Sequence, residues 1–113
     1  MPHILVEYPS TAMNRPQVAS MLAAIHQSIT QSGLYSAEQI RARAHGFDHF
    51  TNAGGSEPFI HIVARIKSGR DENDKKQLVE SILNSFTTIN IPISIITAEI
   101  VDMDRNTYGK FSV

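Results

Sequence analysis

Apolar residues along this chain fall into alternating runs and runs of helical period. Residues 2–8 alternate and are rich in β-forming types, which predicts a first strand. Pro9-Ser10-Thr11 breaks it. From about Arg15 the apolar positions are Val18, Met21, Leu22, Ile25 and Ile29, the i, i+3, i+4, i+7, i+11 spacing of one helix face. Asn14 or Arg15 caps this helix, Pro16 suits its first turn and Gly33 closes it. Ser36-Ala37-Glu38-Gln39 resembles a capping box and predicts a short helical turn.

A second strand is expected from about Ile40 to Phe50. Its alternation puts Arg41, Arg43, His45, Phe47 and His49 on one face and Ile40, Ala42, Ala44 and Gly46 on the other. Asn52 to Ser56 reads as a flexible turn. A third strand runs from Phe59 to Lys67, with Ile60, Ile62, Ala64 and Ile66 on one side and Phe59, His61 and Val63 on the other. A second helix spans about Asp71 to Thr87. Asp71, Glu72 and Asp74 lie in its first turn, where negative charge suits the helix dipole, and Leu78, Val79, Ile82, Leu83 and Phe86 form its stripe. Asn90-Ile91-Pro92 breaks the chain again before a fourth strand from Ile93 to Val101 and a polar tail from Asp102.

The order predicts an α+β fold: a duplicated β-α-β unit forming one four-stranded mixed sheet. Right-handed crossovers place both helices on one sheet face. Ile93 and Ile95 against Ile96, Ala98 and Ile100 make the fourth strand apolar on both sides, so the uncovered face is expected to need a partner copy.

At 113 residues the chain is expected to be a single domain, residues 1–113, with a modest core. No apolar run is long enough to span a membrane, and no basic segment leads into an apolar one as in a secretory signal. The absence of cysteine rules out disulfides and thiolate metal sites, and the cytoplasm is the expected compartment. A formal net charge of -1 gives no bulk attraction for nucleic acid, so any arginine that matters acts locally.

The candidate chemistry starts at Pro2. Removal of Met1 would leave a secondary amine, a base on a rigid ring, held by the strand that begins there. Alone, this is weak evidence, because proline is also tolerated as the first residue of a strand. Arg41 starts the second strand and Arg70 precedes the second helix. Arginine forks match carboxylates, and free N–H groups at a helix start favour an anion. Each arginine also has a plainer reading: Arg70 could pair with Asp71 or Asp74, and Arg41 and Arg43 could lie on a solvated strand face. His3, His26, His45, His49 and His61 show no metal-ligand spacing, so no metal is expected; there is also no G-x-S-x-G elbow and no phosphate loop.

Pro2-His3-Ile4-Leu5-Val6-Glu7, Ser32-Gly33-Leu34-Tyr35, Ile40-Arg41-Ala42-Arg43-Ala44-His45, Phe59-Ile60-His61-Ile62 and Ser68-Gly69-Arg70 together resemble the tautomerase superfamily, and within it the 5-carboxymethyl-2-hydroxymuconate isomerase family. The resemblance covers most of the chain up to about Phe86. It implies a cytoplasmic homotrimer serving aromatic-acid catabolism, which moves a proton within an unsaturated, carboxylate-bearing dienol without metal or organic cofactor. It implies Pro2 as the general base, with Arg41 and Arg70 holding the carboxylates of a small anionic substrate and Arg43 a weaker candidate. Two other readings remain open: a tautomerase acting on another 2-oxo or enol acid, and a non-enzymatic oligomeric β-α-β module that binds a small ligand.

Overall fold

The computed structural model describes residues 1–113. Its elements are β1 (His3–Pro9), α1 (Arg15–Ser32), a 3-10 turn (Ala37–Gln39), β2 (Arg41–Phe47), β3 (Phe59–Lys67), α2 (Glu72–Asn84), a second 3-10 turn (Ser85–Thr88) and β4 (Ile95–Met103). The strands form one mixed sheet in the order β2-β1-β3-β4. β1 pairs parallel with β2, β3 pairs parallel with β4, and the two halves join through the antiparallel β1–β3 pair. The expected α+β architecture of two β-α-β units is thus present.

Strand alternation decides what faces the helices. Ile4 and Val6 of β1 and Ile60, Ile62, Ala64 and Ile66 of β3 are buried and meet Met21, Ile25 and Ile29 of α1 and Leu78 and Ile82 of α2 in one core. The two helices also touch each other, where the Ser28 hydroxyl donates to the Ser81 carbonyl at 2.5 Å. Asn14 is the cap of α1: its side-chain oxygen accepts from Gln17 N–H, and the Gln17 side chain accepts from Asn14 N–H, both at 2.9 Å. Gly33 ends the helix at φ +79°, a conformation that suits a residue without Cβ.

Three expectations need correcting. β2 ends at Phe47 rather than Phe50, because β1, its only neighbour in the sheet, ends at Pro9 in register with Phe47; just beyond, the Ser10 N–H donates to the Phe47 carbonyl at 2.9 Å and its hydroxyl to Asp48 at 2.6 Å. The turn after it is tight, with Asn52 and Gly55 exchanging backbone hydrogen bonds of 3.0 and 2.8 Å. β4 begins at Ile95, not Ile93, so its outward series is Ile95, Thr97, Glu99 and Val101. The open face is therefore mixed and not apolar. On it His61 meets Glu99 at 2.6 Å and Thr97 at 2.7 Å, while Arg43 meets His3 at 3.2 Å.

Candidate functional site

The topology gathers the chemically distinctive residues at one edge of the sheet. Because β2 runs parallel to β1, its first residue lies beside the start of β1, where Arg41 N–H donates to the Pro2 carbonyl at 3.0 Å. Because β3 runs antiparallel to β1, its last residues arrive at the same edge: His3 pairs with Arg65, and the register carried two residues on sets Lys67 near Met1. Because β4 runs parallel to β3, Met103 ends beside Lys67, and Ser68 N–H donates to the Met103 carbonyl at 2.8 Å. The chain turns after β3 at Gly69, whose φ of +123° strains any residue with a side chain. Arg70 follows and leads into α2.

These segments enclose a cleft of about 570 Å³ lined by Met1, Pro2, Tyr35, Gln39, Lys67, Gly69, Arg70, Asp71, Asp74 and Arg105. Pro2 is buried at its floor. Arg70 is held on three sides. Its guanidinium donates to the Leu34 carbonyl at 2.6 Å, pairs with Asp74 at 3.4 Å and lies over the Tyr35 ring at 4.6 Å. A group pinned this way meets an incoming carboxylate with little ordering cost.

Of the residues singled out from sequence, Pro2 and Arg70 line the cleft together. Arg41 and Arg43 do not line it. The Arg41 guanidinium donates to the Glu38 carbonyl at 2.9 Å, and Arg43 stands with His3 on the open face. The start of α2 is also less open to an anion than expected, since the Asp71 carboxylate already accepts from Asp74 N–H at 2.8 Å. Pattern reading missed Lys67, Arg105, Tyr35 and Gln39. The one available signal was for Lys67, the last outward position of a strand that runs into Gly69-Arg70.

The cleft's electrostatics favour a neutral amine at the chain start. The Met1 amino group is held below its ordinary 8.0, first by partial burial and then by the charges of Lys67, Lys110 and Arg41, all of which disfavour the charged form. His3, one residue beyond Pro2, is held below its ordinary 6.5 by burial, then by Arg43, the chain terminus, Arg41 and Arg65. Arg43 can only donate, so His3 Nδ1 accepts and Nε2–H points to the Tyr108 hydroxyl, 3.0 Å away. That bond fastens the C-terminal tail beside the cleft. No three or more His, Asp or Glu side chains converge in a way that could hold a metal ion, and no helix is long and apolar enough to cross a membrane.

Comparison with known proteins agrees with this architecture. The family described as 5-carboxymethyl-2-hydroxymuconate isomerase matches residues 2–98. The 5-carboxymethyl-2-hydroxymuconate Delta-isomerase of Escherichia coli is 23% identical over 90 residues, spanning 78% of this chain and 71% of that protein. A crystal structure of a 5-carboxymethyl-2-hydroxymuconate delta-isomerase superposes with a TM-score of 0.83 at 16% identity, covering 99% of this chain and 89% of that one. A wild-type fused 4-OT, solved as an asymmetric trimer, superposes with a TM-score of 0.82 at 18% identity, covering 96% and 91%.

Proposed function

Because this chain belongs to the 5-carboxymethyl-2-hydroxymuconate isomerase family, we propose that it is a cofactor-independent isomerase that moves a proton within an unsaturated dicarboxylate or tricarboxylate dienol of the 5-carboxymethyl-2-hydroxymuconate type. It acts as a single tautomerase-like unit within a cytoplasmic homotrimer, with Pro2 as general base once Met1 has been removed. The observation that carries this reading is that Pro2 and the pinned Arg70 line one cleft. With Met1 attached, the Pro2 nitrogen is an amide and has no basicity. Without it, Pro2 becomes the amine, facing the cations that depress the amino group at this edge.

The steps balance without an oxidant or reductant. The Pro2 nitrogen takes the proton of the dienol hydroxyl. The O–H electron pair becomes the carbonyl π bond, the conjugated double bonds shift, and the far carbon accepts the proton back from Pro2. Negative charge spreads over oxygen and carbon in between. Arg70 holds a substrate carboxylate through its fork, while Arg41, outside the cleft with its guanidinium on the Glu38 carbonyl, contributes only its positive charge near the chain start, which favours the dienolate. A base serves best when its pKa lies near the working pH, which suits an amine whose basicity is lowered by its neighbours.

The test is ketonisation of 2-hydroxymuconate and 5-carboxymethyl-2-hydroxymuconate followed by ultraviolet absorbance, using protein shown by intact mass to lack Met1. Turnover that collapses in Pro2→Ala and in protein that retains Met1 supports the reading. No turnover, or full activity without the proline, removes it and leaves the small-ligand binding module in its place.

A further inference from the structure

We infer that Tyr108 is a positioning residue for the Pro2 cleft: reaching back from the C-terminal tail, it holds Lys67 with its ring and His3 with its hydroxyl, and so fixes a cation at the sheet edge where Pro2 lies. The inference rests on Pro2 being the base, and it names what sets that base's surroundings. Tyr108 lies beyond the residues 2–98 that match the family. From Asp104 to the end of the chain every residue but Tyr108 is exposed. Its half-buried side chain touches both β3 and β1.

The path of the tail explains how the ring arrives there. β4 ends at Met103 beside Lys67, and β3 lies between β4 and β1. Arg105 ties the tail to the end of β3, its Nε–H donating to the Ser68 carbonyl at 3.0 Å. A turn follows, in which Thr107 N–H donates to the Asp104 carbonyl at 3.0 Å and Asn106 N–H to the Asp104 carboxylate at 2.9 Å. Beyond that turn Tyr108 meets Lys67, whose ammonium lies 5.3 Å from the ring centre. The Tyr108 hydroxyl reaches β1, where it accepts from His3 Nε2–H at 3.0 Å. Lys67 has no ion-pair partner, so the ring is the contact that orders its ammonium.

Lys67 matters because of where it is held. Arg41, Lys67 and Lys110 surround the chain start, and after burial itself Lys67 does most to disfavour a charged amino group there. Across the cleft Arg70 and Arg105 add positive charge, Asp71 and Asp74 offset it, and the Tyr35 phenol ring faces Arg70. His3, with Arg43 and Arg65 beside it, is held below its ordinary 6.5, chiefly by burial. A lysine free to swing into solvent leaves the amine more basic; one ordered by the Tyr108 ring keeps it less so.

The experiment follows the Pro2 nitrogen by NMR across pH, in full-length protein lacking Met1 and labelled with nitrogen-15 at proline. It compares the wild type with Tyr108→Leu, Tyr108→Phe, Lys67→Gln and the variant combining Tyr108→Leu with Lys67→Gln, with circular dichroism as the check on folding. Tyr108→Leu is expected to raise the pH at which Pro2 titrates. Tyr108→Phe, which keeps the ring but gives up the bond to His3, is expected to raise it less. In the Lys67→Gln background Tyr108→Leu is expected to add little. On the acid limb of kcat/KM for dienol ketonisation, Tyr108→Leu is expected to lose about two- to fivefold, with the alkaline plateau little changed. A Pro2 nitrogen that titrates in Tyr108→Leu as in the wild type, or an equal shift with and without Lys67, overturns the role. The titration needs no substrate, so the two readings fail separately. Absence of dienol turnover removes the isomerase and leaves the titration to decide on Tyr108; turnover with Pro2 unmoved by Tyr108→Leu keeps the isomerase and removes the positioning.

Discussion

Replacing Arg70 by alanine tests whether the cleft's anion-binding group is held in advance. Three contacts are lost: the bond to the Leu34 carbonyl at 2.6 Å, the pair with Asp74 at 3.4 Å and the stack on Tyr35 at 4.6 Å. The ion pair is about one-third exposed on each side and contributes at most ~1 kcal/mol. The stack on the ring contributes ~0.5–1 kcal/mol. The bond to Leu34 contributes ~1 kcal/mol once solvent access is counted. These terms overlap, so Arg70→Ala is expected to cost about 2 kcal/mol, a fall in urea midpoint of roughly 1–2 M at the slope of a small protein. Arg70→Lys keeps the charge but cannot reach Leu34 and Asp74 together, and is expected to lose about half as much. The discriminating measurement is a double-mutant cycle with Tyr35→Leu by urea unfolding, expected to show a coupling of ~0.5–1 kcal/mol. An Arg70→Ala protein within 0.5 kcal/mol of wild type, with no coupling to Tyr35, refutes the pinned guanidinium.

Further outcomes follow from the same geometry. Asp74 competes with any anion for Arg70, so Asp74→Asn is expected to lower KM for a carboxylate substrate about two- to fivefold with little change in kcat, read by steady-state kinetics. Ile62 is fully buried at the centre of the sheet between Val6 and Ala98, and Ile62→Ala is expected to cost ~2–5 kcal/mol in urea unfolding. The folded state holds His3 below its ordinary 6.5. Its contribution to stability is complete above 6.5 and is lost as pH falls through the folded value, because the unfolded chain takes the proton first. His3→Gln should flatten that part of the stability–pH curve, measured by thermal unfolding between pH 5 and pH 7.

The core was legible because both periodicities were clean. Met21, Ile25 and Ile29 of the helical stripe and Ile60, Ile62, Ala64 and Ile66 of the strand alternation are the residues found buried. The end of β2 was not legible, since alternation continues through Phe47 and His49 while the strand stops where its non-local partner β1 ends, at Pro9 opposite Phe47. The same limit applies to β4. Ile93 continues an apolar run and is indeed buried, but it lies outside the ladder, and counting it as strand overstated how apolar the open face is. Pro2 and Arg70 stood out through their places at the start of a strand and of a helix. Arg105 could not, because it reaches the cleft only after β4 has been laid beside β3 and the tail has turned back over Ser68. The apparent equivalence of Arg41 and Arg70 was a matter of chain position; the Arg41 side chain is turned to Glu38 and acts on the chain start by charge alone.

The most direct test of the account is a titration of the Pro2 nitrogen itself. Protein lacking Met1 and labelled with nitrogen-15 at proline is followed by NMR across pH, beside the pH dependence of kcat/KM for dienol ketonisation. Pro2 is expected to titrate below the ordinary value of a proline secondary amine, because the burial and cations that hold the Met1 amino group down at this edge act on it too, and activity is expected to rise with pH along the same curve, since the free amine is the active form. A Pro2 nitrogen that titrates at or above that value, or activity that follows a different group, contradicts it.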